Sequence, residues 1–122
     1  MVLVDTSIWV DYLRNGDDAL AHLLTQGQVC MHPMIIGELA CGHLQHREQL
    51  IDLLDNLPQI SEASHKEALF FLDGQQLMGK GIGWVDVHLL AATLLSSNVS
   101  LWTNDKRLAR IAETLGVCFS AK

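Results

Sequence analysis

Apolar and polar positions along this chain follow two rhythms, short unbroken apolar runs and longer stretches with helical spacing, and they take turns. Val2-Leu3-Val4 is a short apolar run suited to a central strand, and Asp5 closes it. From about Ser7 to Arg14 the spacing turns helical, with Ile8, Trp9, Tyr12 and Leu13 on one stripe and Asn15-Gly16 as the stop. Leu20, Leu23 and Leu24 predict a second short helix, closed by Gly27. Val29-Cys30-Met31 reads as the next strand, and Pro33 suits the first turn of a helix that carries Glu38 and stops at Gly42. Leu50, Leu53, Leu54 and Leu57 keep the i, i+3, i+4, i+7 spacing of an amphipathic helix ended by Pro58. Ser64-His65-Lys66-Glu67 has the form of a capping box, with Ala68, Phe71 and Leu72 as the buried stripe behind it. Gly79-Lys80-Gly81-Ile82-Gly83 is the clearest loop, and it leads into an apolar helix that Asp86 opens. Val99 to Thr103 is strand-like; Leu108, Ile111, Ala112 and Leu115 make a last helix capped by Gly116, and Val117-Cys118-Phe119 a final strand. Strand and helix in alternation predict an α/β fold built on a parallel sheet flanked by helices.

At 122 residues the chain is expected to form one domain spanning 1–122. A hydrophobic fraction of 49% and a mean hydropathy of +0.21 are apolar for a chain this small, so some apolar surface is expected to be covered by another copy or a stable partner. The net charge of −6 has the wrong sign for a broad basic nucleic-acid-binding face; any such contact must use local cations. Cys30, Cys41 and Cys118 are odd in number and unpatterned, and read as reduced core thiols of a cytosolic protein. No cationic stretch precedes an apolar run at the amino terminus. The longest apolar run, Val85 to Leu95, is broken by Asp86 and His88 and falls short of a membrane span. A soluble, cytoplasmic protein is expected.

Four acids occupy punctuation points instead of solvated helix faces: Asp5 and Asp105 just past strands, Glu38 between apolar neighbours, and Asp86 in a first helical turn. In a parallel α/β sheet the carboxyl ends of the strands share one edge, where such folds bind ligands. Carboxylates gathered there repel one another, by about 4 kcal/mol for a pair about 4 Å apart at an effective dielectric of about 20, and a hard divalent cation removes that cost. Their wide separation excludes a local calcium loop, so they can meet only through the fold. Ser7 and Thr103, each two residues from an acid, can orient a carboxylate, hold a water or contact a phosphate. The plainer alternative makes Thr6, Ser7 and Asp105 helix caps and Asp86 a first-turn acid. Glu38 is harder to explain that way, since its neighbours on both sides are apolar.

Four strings carry a resemblance: Val4-Asp5-Thr6-Ser7-Ile8-Trp9, Glu38 in its apolar helix, Gly81 through Ala92 around Asp86, and Leu101-Trp102-Thr103-Asn104-Asp105. In order and spacing they resemble the motifs of PIN-domain proteins, and the opening string and length most resemble the VapC-type toxin ribonucleases of toxin–antitoxin pairs. The resemblance implies a three-layer α/β/α sandwich whose central parallel sheet has four to five short strands. It implies a metal-dependent endoribonuclease with Asp5, Glu38, Asp86 and Asp105 as an acidic quartet. Asp5, Asp86 and Asp105 would bind Mg²⁺ or Mn²⁺, with Ser7 and Thr103 as supporting hydroxyls. RNA hydrolysis would leave a 5′-phosphate and a 3′-hydroxyl. The implied partners are RNA, a cognate antitoxin that inserts a segment into the acidic groove, and a second copy in a homodimer. Many relatives carry a further acid where this chain has Arg107, which bears on a second protein-held metal.

Other residues weigh less. Cys41, His43 and His46 have poor zinc spacing and no evident fourth ligand, and His88 reads as a packing side chain. Arg14, Lys80, Lys106 and Arg107 are candidates for contacting phosphate, whereas Arg47, Lys66 and Lys122 read as solvated. Trp9 and Trp102 read as packing residues and Trp84 as the one placed to stack a base. Two alternatives remain: an RNA-processing nuclease outside any toxin–antitoxin pair, separable by whether a neighbouring reading frame encodes a short DNA-binding antitoxin, and a phosphoacceptor-like module. The second lacks a lysine closing a late strand and leaves Glu38 unused.

Overall fold

The computed structural model describes residues 1–120; Lys122 lies outside the described residues. Three strands, β1 (Val2–Val4), β2 (Val29–Cys30) and β3 (Ser100–Trp102), form a parallel sheet in the order β2-β1-β3. The central strand β1 is buried along its whole length, as an unbroken Val-Leu-Val run between covered faces requires. Seven helices connect and cover the strands: α1 (Thr6–Asn15), α2 (Asp18–Thr25), α3 (Pro33–Ala40), α4 (Arg47–Asp55), α5 (His65–Gly74), α6 (Trp84–Leu95) and α7 (Lys106–Thr114). Helices α6 and α7 pack on β3, α1 packs on α3, α3 on α4, and α5 on α6. The core runs through Leu3, Val4, Ile35, Leu89, Leu90, Leu101 and Leu108.

Three strands stand where four to five were expected, because the outer two are reduced to single rungs. Met31 pairs with Gln59, but Pro58 before it has a carbonyl for Met31 and no N–H, so the ladder cannot extend backwards. Leu101 pairs with Cys118, and Gly116 turns the chain at φ 77° just ahead of that rung. The α/β class and the parallel sheet stand as expected.

Helix ends follow the local chemistry. Ser64 Oγ accepts from the Glu67 N–H (3.1 Å) while Glu67 Oε1 accepts from the Ser64 N–H (2.9 Å), the reciprocal box read from the sequence. Helix α6 is buried from Val87 to Thr93, and Thr93 satisfies its hydroxyl on the Leu89 carbonyl at 2.7 Å. The leucine stripe of α4 needs correcting. Leu54 is buried and Leu50 half-buried, and Leu57, past the end of α4 at Asp55, is half-buried, but Leu53 faces solvent at 66% exposure. Of the thiols expected in the core, Cys30 is buried and Cys118 half-buried, but Cys41, at the end of its helix, is exposed.

No described helix is long and apolar enough to cross a membrane.

Candidate active site

The chain runs from β1 to β2 on one side and later reaches β3 on the other, so the order of the sheet reverses between β1 and β3. Open α/β sheets bind ligands beyond the carboxyl ends of the strands at such a switch point. Asp5 follows β1, and Thr103 and Asp105 follow β3, one on each side of it. Their approach is a consequence of register: Val4 pairs with Trp102, and the Asp5 N–H donates to the Trp102 carbonyl at 2.8 Å.

Asp5 is buried and fully engaged. Its Oδ1 accepts from the Thr6 N–H (2.8 Å) as the cap of α1; its Oδ2 accepts from Thr103 Oγ1 (2.7 Å) and, at 3.5 Å, from Ser7 Oγ. Thr103 Oγ1 also accepts from the Asp105 N–H (3.0 Å), and Ser7 Oγ from the Asn104 N–H (3.3 Å). Both hydroxyls therefore pin the loop after β3 to the end of β1. Asp105 is exposed and caps α7, its Oδ1 accepting from the Arg107 and Leu108 N–H groups at 2.9 and 3.0 Å. Asp86 is half-buried, with Oδ2 accepting from the Gly83 N–H (3.1 Å) ahead of α6. Capping and site-building are thus the same act here, and the amino-terminal ends of α1, α6 and α7 lend these carboxylates partial positive charge.

Glu38 differs from its expected setting. Within α3 the apolar run divides, Ile35 and Leu39 facing inward while Gly37 and Glu38 face out, so this carboxylate is exposed. It still reaches the site, because Thr6 Oγ1 donates to Glu38 Oε1 in a short hydrogen bond.

Electrostatics joins the four acids. Burial pushes the Asp86 carboxyl above its ordinary range; the Gly83 N–H opposes this, and the charges of Asp5, Asp105 and Glu38 add to it. Positions 5, 38 and 105 thus act through space on position 86. Among the described residues, no three His, Cys, Asp or Glu side chains stand together closely enough to enclose an ion by themselves. The donor set is nevertheless all hard oxygen and mutually repelling, with Asp86 Oδ1 and Asp105 Oδ2 receiving no hydrogen bond among the described residues. That chemistry fits a divalent cation that keeps part of its water shell.

Several residues gain a role that the sequence did not mark. Thr6 links α1 to Glu38, and Asn104 braces its loop by donating from Nδ2 to Asp11 Oδ2 at 2.9 Å. Arg110 joins Lys80 and Arg107 in lining one groove; the three-residue spacing on α7 was the available signal. Arg14 belongs instead to a separate cleft with His43 and Leu50, and Lys106 is exposed outside the groove. Trp9 is buried against Tyr12, and Trp102 packs on Phe119. Trp84 is part-exposed, with His88 set edge-on against it at 4.6 Å.

An open parallel sheet with an acidic switch point is the architecture of the PIN domain, and that family matches residues 2–114; the chain belongs to it. Within the family it is 40% identical over 120 residues to Ribonuclease VapC32 of Mycobacterium tuberculosis, from strain CDC 1551 / Oshkosh and from strain ATCC 25618 / H37Rv alike. The match covers 98% of this chain and 97% of either relative.

Proposed function

We propose that this chain is a metal-dependent endoribonuclease, the toxin of a toxin–antitoxin pair, working as one catalytic unit over residues 1–122. The observation that carries the reading is that Thr103 joins the Asp5 carboxylate to the backbone of Asp105 across the switch point, while the charges of Asp5, Asp105 and Glu38 all bear on Asp86. The full-length kinship with a ribonuclease supports the same reading.

Asp5, Asp86 and Asp105 are the residues to hold Mg²⁺ or Mn²⁺, with Glu38 at the edge of the set. Mg²⁺ suits them better than an ion needing a closed protein cage, because it takes one or two carboxylates and keeps several waters. When bound, the cation supplies Lewis acidity that neutralises the carboxylates and stabilises charge building on a phosphodiester. The chain's own part is positional. Thr103 and Ser7 fix the Asp5 carboxylate, and Thr103 couples it to the backbone of Asp105. Gly83 holds one oxygen of Asp86 and leaves the other for the site. Hydrolysis forms a bond from water oxygen to phosphorus and breaks the bond to the 3′-oxygen, which leaves protonated, giving a 5′-phosphate and a 3′-hydroxyl.

The protein acts in the cytoplasm, and its antitoxin places a segment, with an Arg among the carboxylates, in the acidic groove. A second copy covers the apolar surface around Phe70 and Leu95 on α5 and α6. The deciding experiment is Asp5→Asn and, separately, Asp86→Asn, with 5′-end sequencing of RNA fragments after brief expression. Cleavage is expected to drop at least about a hundredfold, as for loss of an electrostatic catalytic group, with circular dichroism unchanged. Undiminished cleavage in a folded Asp5→Asn protein would refute the assignment.

A further inference from the structure

Beside the acidic edge lies a groove of opposite character. A cavity of about 340 Å³ is lined by Lys80 from the glycine-rich loop and by Arg107 and Arg110 from α7, over apolar surface from Leu77, Ile111 and Leu115. Three of the chain's eight Lys and Arg residues therefore meet in one place on a protein of net charge −6, and no acid is among the lining residues. Arg107, Arg110 and Ile111 follow the i, i+3, i+4 spacing that puts side chains on one helix face.

The groove is tied to the acidic site at two points. The Arg107 N–H donates to Asp105 Oδ1 at 2.9 Å, and the loop carrying Lys80 runs on to Gly83, whose N–H holds Asp86. The Arg107 side chain also meets that loop. It lies across Gly81, where φ is 81° and where a Cβ would stand 2.7 Å from Arg107 Cδ and 3.1 Å from Nε. The positive backbone angle is what favours glycine there. The planar donors of a guanidinium match phosphate oxygens.

We propose that this groove is the subsite for a substrate nucleotide flanking the scissile phosphate: Lys80, Arg107 and Arg110 take backbone phosphate, and the Leu77–Ile111–Leu115 floor takes the base. This rests on the ribonuclease reading above. The volume falls in the range of small-ligand sites, about 300–1,000 Å³. The assignment also resolves an electrostatic conflict, since an acidic edge repels the polyanion it must cleave, and a compact cationic groove adjoining it anchors the strand.

The test is RNA binding in EDTA, where cleavage is suppressed, using a fluorescein-labelled random-sequence RNA 20-mer across a salt series. Lys80 and Arg110 are exposed, so truncating them leaves the core intact. Lys80→Ala/Arg110→Ala is expected to weaken binding at least tenfold and to flatten the slope of log K against log salt by about 1.4, at about 0.7 per phosphate contact on a single strand. Arg14→Ala/Arg47→Ala, an equal charge change away from the groove, is expected to keep affinity within twofold. Wild-type affinity and slope in the first variant, or an equal loss in the second, overturns the groove assignment. If the wild type cleaves RNA while the groove variant binds unchanged, the groove alone fails. If the wild type neither binds nor cleaves RNA, the nuclease reading fails and the groove with it.

Discussion

Asp86 does two jobs whose energetics pull in opposite directions. It anchors the start of α6 through the Gly83 N–H, which favours its charge, while its burial and the neighbouring Asp5, Asp105 and Glu38 disfavour it. A carboxyl held above its ordinary pKa is one whose ionised form weakens the fold. In EDTA at neutral pH, Asp86→Asn should therefore melt about 2 °C or more above wild type. Millimolar Mg²⁺ or Mn²⁺ should then raise the wild-type midpoint and leave the variant nearly unmoved, because only a site that binds the ion in the folded state gains from it. Differential scanning calorimetry with and without the ion checks both. A wild type insensitive to either ion would contradict the metal assignment.

At the scale of one element, α3 begins on a histidine. His32 is fully buried and its Nδ1 accepts from the Met34 N–H at 3.0 Å, so that nitrogen must stay unprotonated, while Nε2 is buried without a partner. Burial lowers its pKa; Glu62 opposes this and His88 adds to it. A depressed histidine contributes stability that is complete above its ordinary value of about 6.5 and is lost as pH falls through the folded value, when Nδ1 gains a proton and the cap fails. A cap of this kind is worth about 1 kcal/mol. Between pH 7.5 and 5.5 the wild type should lose thermal stability more steeply than His32→Asn, which retains an acceptor and does not titrate. His88, also depressed by burial, is present in both proteins, so what separates their curves is position 32 together with its repulsion from His88. Parallel melting curves over that range would remove the account.

Across the whole molecule, the apolar excess has a location. Phe70 is 82% exposed and Leu95 60%, with Leu94 beside them, around a cleft of about 540 Å³ between α5 and α6. If a second copy covers this face, Phe70→Lys should turn a dimer into a monomer in sedimentation equilibrium with little change in melting temperature. A buried aromatic anchor commonly carries about 2 kcal/mol or more of an interface, over tenfold in affinity. A variant that stays dimeric would place the interface elsewhere.

What the sequence by itself determined is local. The unbroken Val2–Val4 run, the Ser64–Glu67 box and the glycine stops mark strands and helix ends, because burial period, side-chain caps and allowed φ angles act between near neighbours. The four acids could be singled out in the sequence as candidates, by their places at strand ends, in a first helical turn and beside apolar residues. Only the tertiary structure decided how they meet. Register between β1 and β3 brings Thr103 to Asp5, and packing of α1 on α3 brings Thr6 to Glu38. The same packing turned Glu38 outward and left the edge strands as single rungs. It also folded Arg107 over Gly81 to build a groove that no one segment encodes. Periodicity constrains which face of an element is buried, whereas contacts between residues nearly a hundred positions apart depend on how the elements stack, which no local pattern contains.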